Sequence, residues 1–211
     1  MIAENVMLDL LSMADRADVH SGTPGHAGRV ALYVSYLLKS LGTESDEAQL
    51  ILDAARVHDI GSIGLPRDLF SKQGALTPEE WEIVRSHAAR GGEYLATRPV
   101  TQALAPIVRY HHERYDGKGY PDGLVGEDIP FASRVISICD GFEAMTHERP
   151  FRAGIPLGQA LAVLATEAGT QWDRSLVKVF VQETLPVLMH SGRLMISPNL
   201  LYGGFAPRKR G

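Results

Sequence analysis

Five histidines and two aspartates carry the chemistry of this 211-residue chain: His26, the pair His58-Asp59, His87, the pair His111-His112, and Asp140. Imidazole nitrogens and carboxylate oxygens are ligands for divalent cations, and this set is large enough for two of them. A carboxylate beside a histidine can bridge two cations while its neighbour binds one, so Asp59 is the expected bridge. Two cations held a few Å apart are the equipment of phosphoester hydrolysis. They lower the pKa of a bridging water, align the resulting hydroxide with phosphorus and neutralise charge on the non-bridging oxygens. No nucleophilic side chain is then required, so the lack of a recognisable Ser-His-Asp or Cys-His arrangement is no objection.

Taken singly, each histidine also has an ordinary reading as a satisfied core residue. Number and placement decide against it. Five histidines and two aspartates on inner helix faces would each cost several kcal/mol, roughly, if buried without partners, and a shared pair of cations satisfies most of them at once. His20, His147 and His190 lack such settings and read as surface residues.

The elements that must position these groups are helical, and no alternating run argues for a sheet. Ala27, Val30, Ala31, Val34, Leu37, Leu38 and Leu41 repeat at three and four, in a helix that begins at or just before His26 and ends at Gly42. A second helix, from about Ser45 to Asp59, puts Ala48, Ile51, Ala54, Ala55 and His58 on one stripe, turning His58 inward. Thr77-Pro78-Glu79-Glu80 is a helix start, with Thr77 as cap and Glu80 closing a capping box; Trp81, Val84 and His87 then share a face. Leu104, Ile107, Val108 and His111 make the next stripe, and Ala132, Val135, Ile136 and Asp140 the one after it. Further helices are expected from about Pro156 to Ala168 and, capped by Asp173, to Glu183.

Two segments break this rhythm. Arg114 to Pro130, with four glycines and two prolines, reads as an ordered functional loop. From about Pro186 the pattern lapses, Ser191-Gly192 and Gly203-Gly204 mark turns, and Arg208-Lys209-Arg210 reads as a solvated basic tail. The expected organisation is all-α: a single globular bundle over residues 1–185, followed by an irregular C-terminal extension, 186–211. Lys+Arg 21 against Asp+Glu 25 provides no basic field, so long nucleic acid is not expected as a partner. No apolar stretch approaches the roughly 20 residues of a membrane span, and the N-terminus lacks signal-peptide features. With the lone Cys139 in a buried helical run, a cytoplasmic setting without membrane attachment is expected.

Several motifs recur in a fixed order: Gly25-His26 with Arg29-Val30, the run Ala55 to Gly61 around His58-Asp59, Leu76 to Trp81, His87 followed by Gly91, and His111 to Gly117. Gly119-Tyr120-Pro121, Ile129-Pro130, Asp140 and Arg149-Pro150-Phe151-Arg152 follow. In these the chain resembles the HD-GYP family, a branch of the HD metal-dependent phosphohydrolases known for hydrolysing cyclic di-GMP, over about Asp15 to Phe180. The resemblance implies an HD-type helical bundle in which His26, His58, Asp59 and Asp140 hold one metal. It implies that His87, His111 and His112 hold the other, with Asp59 shared. Iron or manganese is the family habit, and the donor set also suits nickel or zinc. It further implies that Arg149 and Arg152 meet substrate phosphate, and that Tyr120 faces the site or, through the Gly119-Tyr120-Pro121 loop, a protein partner. A homodimer is compatible with the family.

Two departures stand out. The usual His-Asp-Ile-Gly-Lys ends here in Ser62, removing a cation that would stabilise the transition state. Gly22 replaces the glutamate of members with a third metal, so no third ion is expected. Glu143, one helical turn after Asp140, is expected behind the ligands, free to meet a metal or water. The leading function is a cyclic di-GMP phosphodiesterase yielding linear pGpG, GMP or both, with Asp59 central and Ser62 reducing turnover. The alternatives are a weakly active metal-containing module that binds cyclic di-GMP or a partner, and an HD hydrolase of another nucleotide phosphodiester.

Overall fold

The computed structural model describes residues 2–72, 74–149, 152–196 and 198–201. Its helices are α1 (Glu4–His20), α2 (His26–Leu41), α3 (Ser45–Val57), α4 (Arg67–Ser71), α5 (Pro78–Ala96), α6 (Ala105–Arg109), α7 (Phe131–Thr146), α8 (Leu157–Thr166), α9 (Arg174–Val179), α10 (Leu185–His190) and α11 (Pro198–Leu201). Among the described residues there are no strands, only isolated bridges such as Asp116 with Val125.

The apolar stripe of α2 is buried along its length, with Val30, Val34 and Leu37 wholly inside. Gly42 ends it with φ +66°, a left-handed cap that costs glycine little. Tyr33 on α2 meets Phe142 of α7 edge to face at 5.5 Å, and Phe142 meets Phe180 at 5.1 Å. This aromatic spine locks the two helices that carry His26 and Asp140. α5 starts with the expected capping box: Thr77 accepts from the Glu80 amide while the Glu80 carboxylate accepts from the Thr77 amide.

Close backbone contact brings the remaining ligands together. The 3₁₀ turn Ile60–Gly64 lies so near α5 that a Cβ on Gly61 would stand 2.1 Å from the His87 carbonyl oxygen and 2.6 Å from the Gly91 nitrogen. Gly92 admits α6 in the same way, its absent Cβ leaving 2.8 Å to that of Arg109. The 114–130 segment is ordered from beneath by buried Glu113, whose Oε1 accepts the amides of Asp122 (2.7 Å) and Gly123 (2.9 Å).

Three details depart from the pattern read in the sequence. α1, not delimited there, packs Leu10, Ala14 and Ala17 into the core. α6 is one short turn group, so His111 lies in the turn beyond it rather than on the helix. The helical rhythm carries on past Pro186, because a π turn (Phe180–Thr184) joins α9 to α10 and sets the proline in the first turn of α10, where its missing N–H is least needed. Leu188 and Ile196 are buried in the same core. The Gly203-Gly204 turn and the basic tail Arg208-Lys209-Arg210 lie outside the described residues.

Candidate metal centre

Four of the five histidines, all but His112, are aimed by a hydrogen bond at the back of the ring. His58, His87 and His111 donate through Nδ1–H to the carbonyls of Ala55 (2.8 Å), Val84 (2.7 Å) and Val108 (2.6 Å), each three residues earlier. A carbonyl can only accept, so in the neutral ring the proton sits on Nδ1 and the Nε2 lone pair is left pointing inward. His26, the first residue of α2, instead places Nδ1 2.7 Å from Glu143 Oε2.

The inward atoms form two groups around Asp59. Its Oδ2 lies 3.6 Å from the Nε2 atoms of both His26 and His58, while its Oδ1 lies 3.1 Å from His87 Nε2 and 3.6 Å from His111 Nε2. His26 Nε2 is also 3.2 Å from His58 Nε2 and 3.2 Å from Asp140 Oδ1. Two clusters result, His26 with His58 and Asp140, and Asp59 with His87, His111 and His112, each with its donor atoms within 4.8 Å of one another. Lone pairs and carboxylate oxygens this close repel one another unless something positive lies between them. Donors about 2.1 Å from a common cation stand roughly 3.0–3.4 Å apart, close to the separations seen, so the residues fit divalent metals.

The carboxylates draw positive charge into the site. Burial works against a charged His26, but the Asp140 and Glu143 carboxylates outweigh it and lift its pKa to about 10. Burial would likewise raise Asp59, yet His58, His111 and His87 hold it well below the carboxylate range. His112 is pushed well down by burial and by the neighbouring His111 and His87, which favours the neutral ring that a metal requires.

Above this floor opens a cavity of about 510 Å³. Leu69 and Phe70 of α4, with Leu76, Trp81 and Val84, make an apolar wall; thus the Trp81–Val84–His87 face of α5 lines the cleft. Tyr120 lines it too, its ring 4.9 Å from that of His112 and tilted by 31°. Arg149 reaches the rim, with one guanidinium nitrogen 3.1 Å from Glu143 Oε2 and its Nε buried without a hydrogen-bond partner. Arg152 is not among the residues that line the cleft and donates to the Ala144 carbonyl instead. Pro150 and Phe151 between them lie outside the described residues. Ser62 faces the cleft with its Oγ buried and unpartnered.

Glu143 is not free. Besides His26, its carboxylate accepts from Arg29 Nε (2.8 Å) and Arg149, and these partners overcome the effect of burial to hold its pKa at about 2. It therefore orients His26 rather than meeting a metal or water. His20 and His147 are half-buried, not surface residues: His20 Nε2 lies 2.7 Å from the Leu65 carbonyl, and His147 Nδ1 lies 3.7 Å from Glu143. His190 is exposed. No sequence motif marks Asp18 or Lys72. Asp18 is buried and accepts the Ala27 amide at 2.9 Å, capping α2 from eight residues before His26, a distance at which no local motif announces a cap. Lys72 lines the cleft beside Glu80.

The HD domain family matches residues 8–176. Among similar proteins, the 3′3′-cGAMP-specific phosphodiesterase 3 of Vibrio cholerae is 36% identical over 72% of this chain and 33% of its own length. The cyclic di-GMP phosphodiesterase response regulator RpfG of Xanthomonas campestris is 35% identical over 76% of this chain and 43% of its own. A cyclic di-GMP phosphodiesterase of Thermotoga maritima is 34% identical over 83% and 48%. The chain thus spans between a third and a half of the length of these relatives. Two solved structures share the fold: a cyclic GMP-AMP phosphodiesterase of V. cholerae (TM-score 0.62, 17% identity, 92% of this chain and 53% of that one) and an HDGYP protein of Bdellovibrio bacteriovorus (TM-score 0.61, 20% identity, 74% and 50%). By the extent of that match and the motifs it encloses, the chain belongs to the HD domain family, in its HD-GYP branch.

Proposed function

We propose that the chain hydrolyses the phosphodiester of a cyclic dinucleotide, cyclic di-GMP first among them, giving linear pGpG, GMP or both. One observation carries the reading: the two oxygens of Asp59 face two separate sets of imidazole nitrogens at the floor of a cleft large enough for a nucleotide. His26, His58, Asp59 and Asp140 would hold one divalent ion, and His87, His111, His112 and Asp59 the other. Nitrogen and oxygen donors without thiolate favour iron or manganese, with nickel or zinc acceptable. Bound there, such ions supply Lewis acidity and bring the pKa of water toward neutrality.

The remaining roles belong to the chain. Glu143 and Arg29 fix the His26 ring, Arg149 at the rim offers the accessible part of its guanidinium to a phosphate oxygen, and Tyr120 closes one side of the cleft. The relatives' names, which include both cyclic di-GMP and cyclic GMP-AMP phosphodiesterases, support the substrate class. Among the described residues no helix is long and apolar enough to cross a membrane. The exposed edge of the Gly119-Tyr120-Pro121 loop, at Lys118 and Asp122, is the surface we assign to any protein partner.

A second reading, a binding module of low turnover, is favoured by Ser62, whose buried hydroxyl finds no partner where the family places a cation. Chromatography of products after loading with manganese(II) or iron(II), beside metal analysis, tests both. Turnover of cyclic di-GMP with about two ions per chain is expected, and Asp59→Ala should lose both ions together. Full occupancy of either position in that variant would contradict the shared ligand.

A further inference from the structure

We infer that Trp81 is the platform on which a base of the substrate stacks, making it a substrate-binding residue of the cleft. This rests on the cyclic dinucleotide reading and goes beyond it, since the metal floor and Arg149 address only phosphate.

Trp81 is 47% exposed yet lines the cavity from the first turn of α5, the helix that also carries His87. An indole left open on a cleft wall has a face to offer, and its own helix holds that face in place. Arg85, one turn on, sets its guanidinium 5.9 Å from the Trp81 ring and 5.5 Å from the Tyr120 ring, while Glu82 fixes the guanidinium from behind at 3.0 Å. Tyr120 in turn leans on His112 at 4.9 Å. The result is a ladder of flat groups, His112, Tyr120, Arg85 and Trp81, climbing from the metal cage to the mouth. Leu69, Phe70 and Leu76 continue the wall with aliphatic and aromatic carbon, the surroundings a base plane needs. A phosphodiester seated on the cage therefore has an aromatic surface within the same cavity for the base attached to it, and stacking accepts any purine because every base has a π-face.

Steady-state kinetics on the manganese-loaded chain with cyclic di-GMP test this. Trp81→Ala should raise KM about tenfold, and by threefold at least, with kcat within threefold and metal content unchanged. Tenfold corresponds to about 1.4 kcal/mol. Trp81→Phe should recover KM to within threefold of the parent, whereas Trp81→Leu, apolar but without a π-face, should not. A KM change under threefold for Trp81→Ala, a loss confined to kcat, or equal rescue by Leu and Phe overturns the inference. Should the unaltered chain leave cyclic di-GMP intact, the proposed function fails, and the platform is judged by binding alone. Saturable quenching of indole fluorescence by 5′-GMP in the parent and its absence in Trp81→Phe supports it; no quenching, or equal quenching in both, overturns it.

Discussion

Replacing Gly61 by alanine should cost the protein one metal ion while leaving the other. The added Cβ would stand 2.1 Å from the His87 carbonyl oxygen and 2.6 Å from the Gly91 nitrogen, whereas ordinary contact begins at 3.4 Å. Both neighbours are backbone, so no side chain can swing aside, and the 3₁₀ turn and α5 must part by about 1.3 Å to reach normal packing. His87 rides on α5 and Asp59 on the turn, at 3.1 Å. Parting them by that much takes their donor atoms beyond roughly 4 Å, too far for two ligands about 2.1 Å from one ion unless they oppose each other. Overpacking of this kind costs about 1–3 kcal/mol, which for a chain of this size lowers Tm by roughly 2–12 °C. A displacement of about 1 Å at the reacting centre costs on the order of 100-fold in rate. Metal analysis after desalting, a thermal melt and the cyclic di-GMP assay read the three consequences. Two ions per chain with an unmoved Tm in Gly61→Ala would refute the reasoning, because the close approach would then not be what sets the His87–Asp59 distance.

Three further changes have defined outcomes. Glu143→Gln keeps its shape but surrenders the charge that orients His26, so metal affinity at the His26–His58–Asp140 cluster should fall about 10–100-fold, read by competition with a chelator; unchanged affinity would make Glu143 a partner of the arginines only. Ser62→Lys should raise kcat about tenfold, roughly 1.4 kcal/mol, with metal content kept; if rate and metal fall together, the centre is built around serine. Asp173 caps α9 by accepting the Ser175 and Leu176 amides and pairs with Arg134 at 2.6 Å, and despite its burial these contacts keep its pKa below 3.8. Its stabilisation is therefore complete above that unfolded value and lost as pH falls through the lower folded one. Asp173→Ala should lower stability by about 0.5–2 kcal/mol at pH 7, a difference that denaturant melts should show narrowing below about pH 4.

The ligand candidates were legible because imidazole is distinctive and its helices announce themselves locally, through the Thr77 cap, Gly42, and apolar stripes that point His58 and His87 inward. What escaped has physical reasons. α4 spans only Arg67–Ser71, too short for periodicity to register, yet it supplies Leu69 and Phe70 to the cleft. The engagement of Glu143 depends on Arg29, 114 residues away, and on the turn after α7 that brings Arg149 back, neither of which spacing reveals. Arg149 and Arg152 look equivalent in the sequence, and only their mutual pairing, with each amide bonded to the other's carbonyl, leaves one guanidinium lining the cleft and the other at the end of α7.

The seven donors are drawn from chain positions 26 to 140, so whatever ties them closes more than half of the polypeptide into nested loops. Ligands that bind only the folded chain act as reversible cross-links, each adding about 2.7 kcal/mol when its free concentration is 100 times its Kd. Sequestering the ions would then do more than stop a reaction. α2, α3, α5 and α7 would lose the common knot that ties them together, local opening would become more frequent, and the polypeptide would become a better target for proteases. Abundance as well as turnover would thus follow metal supply.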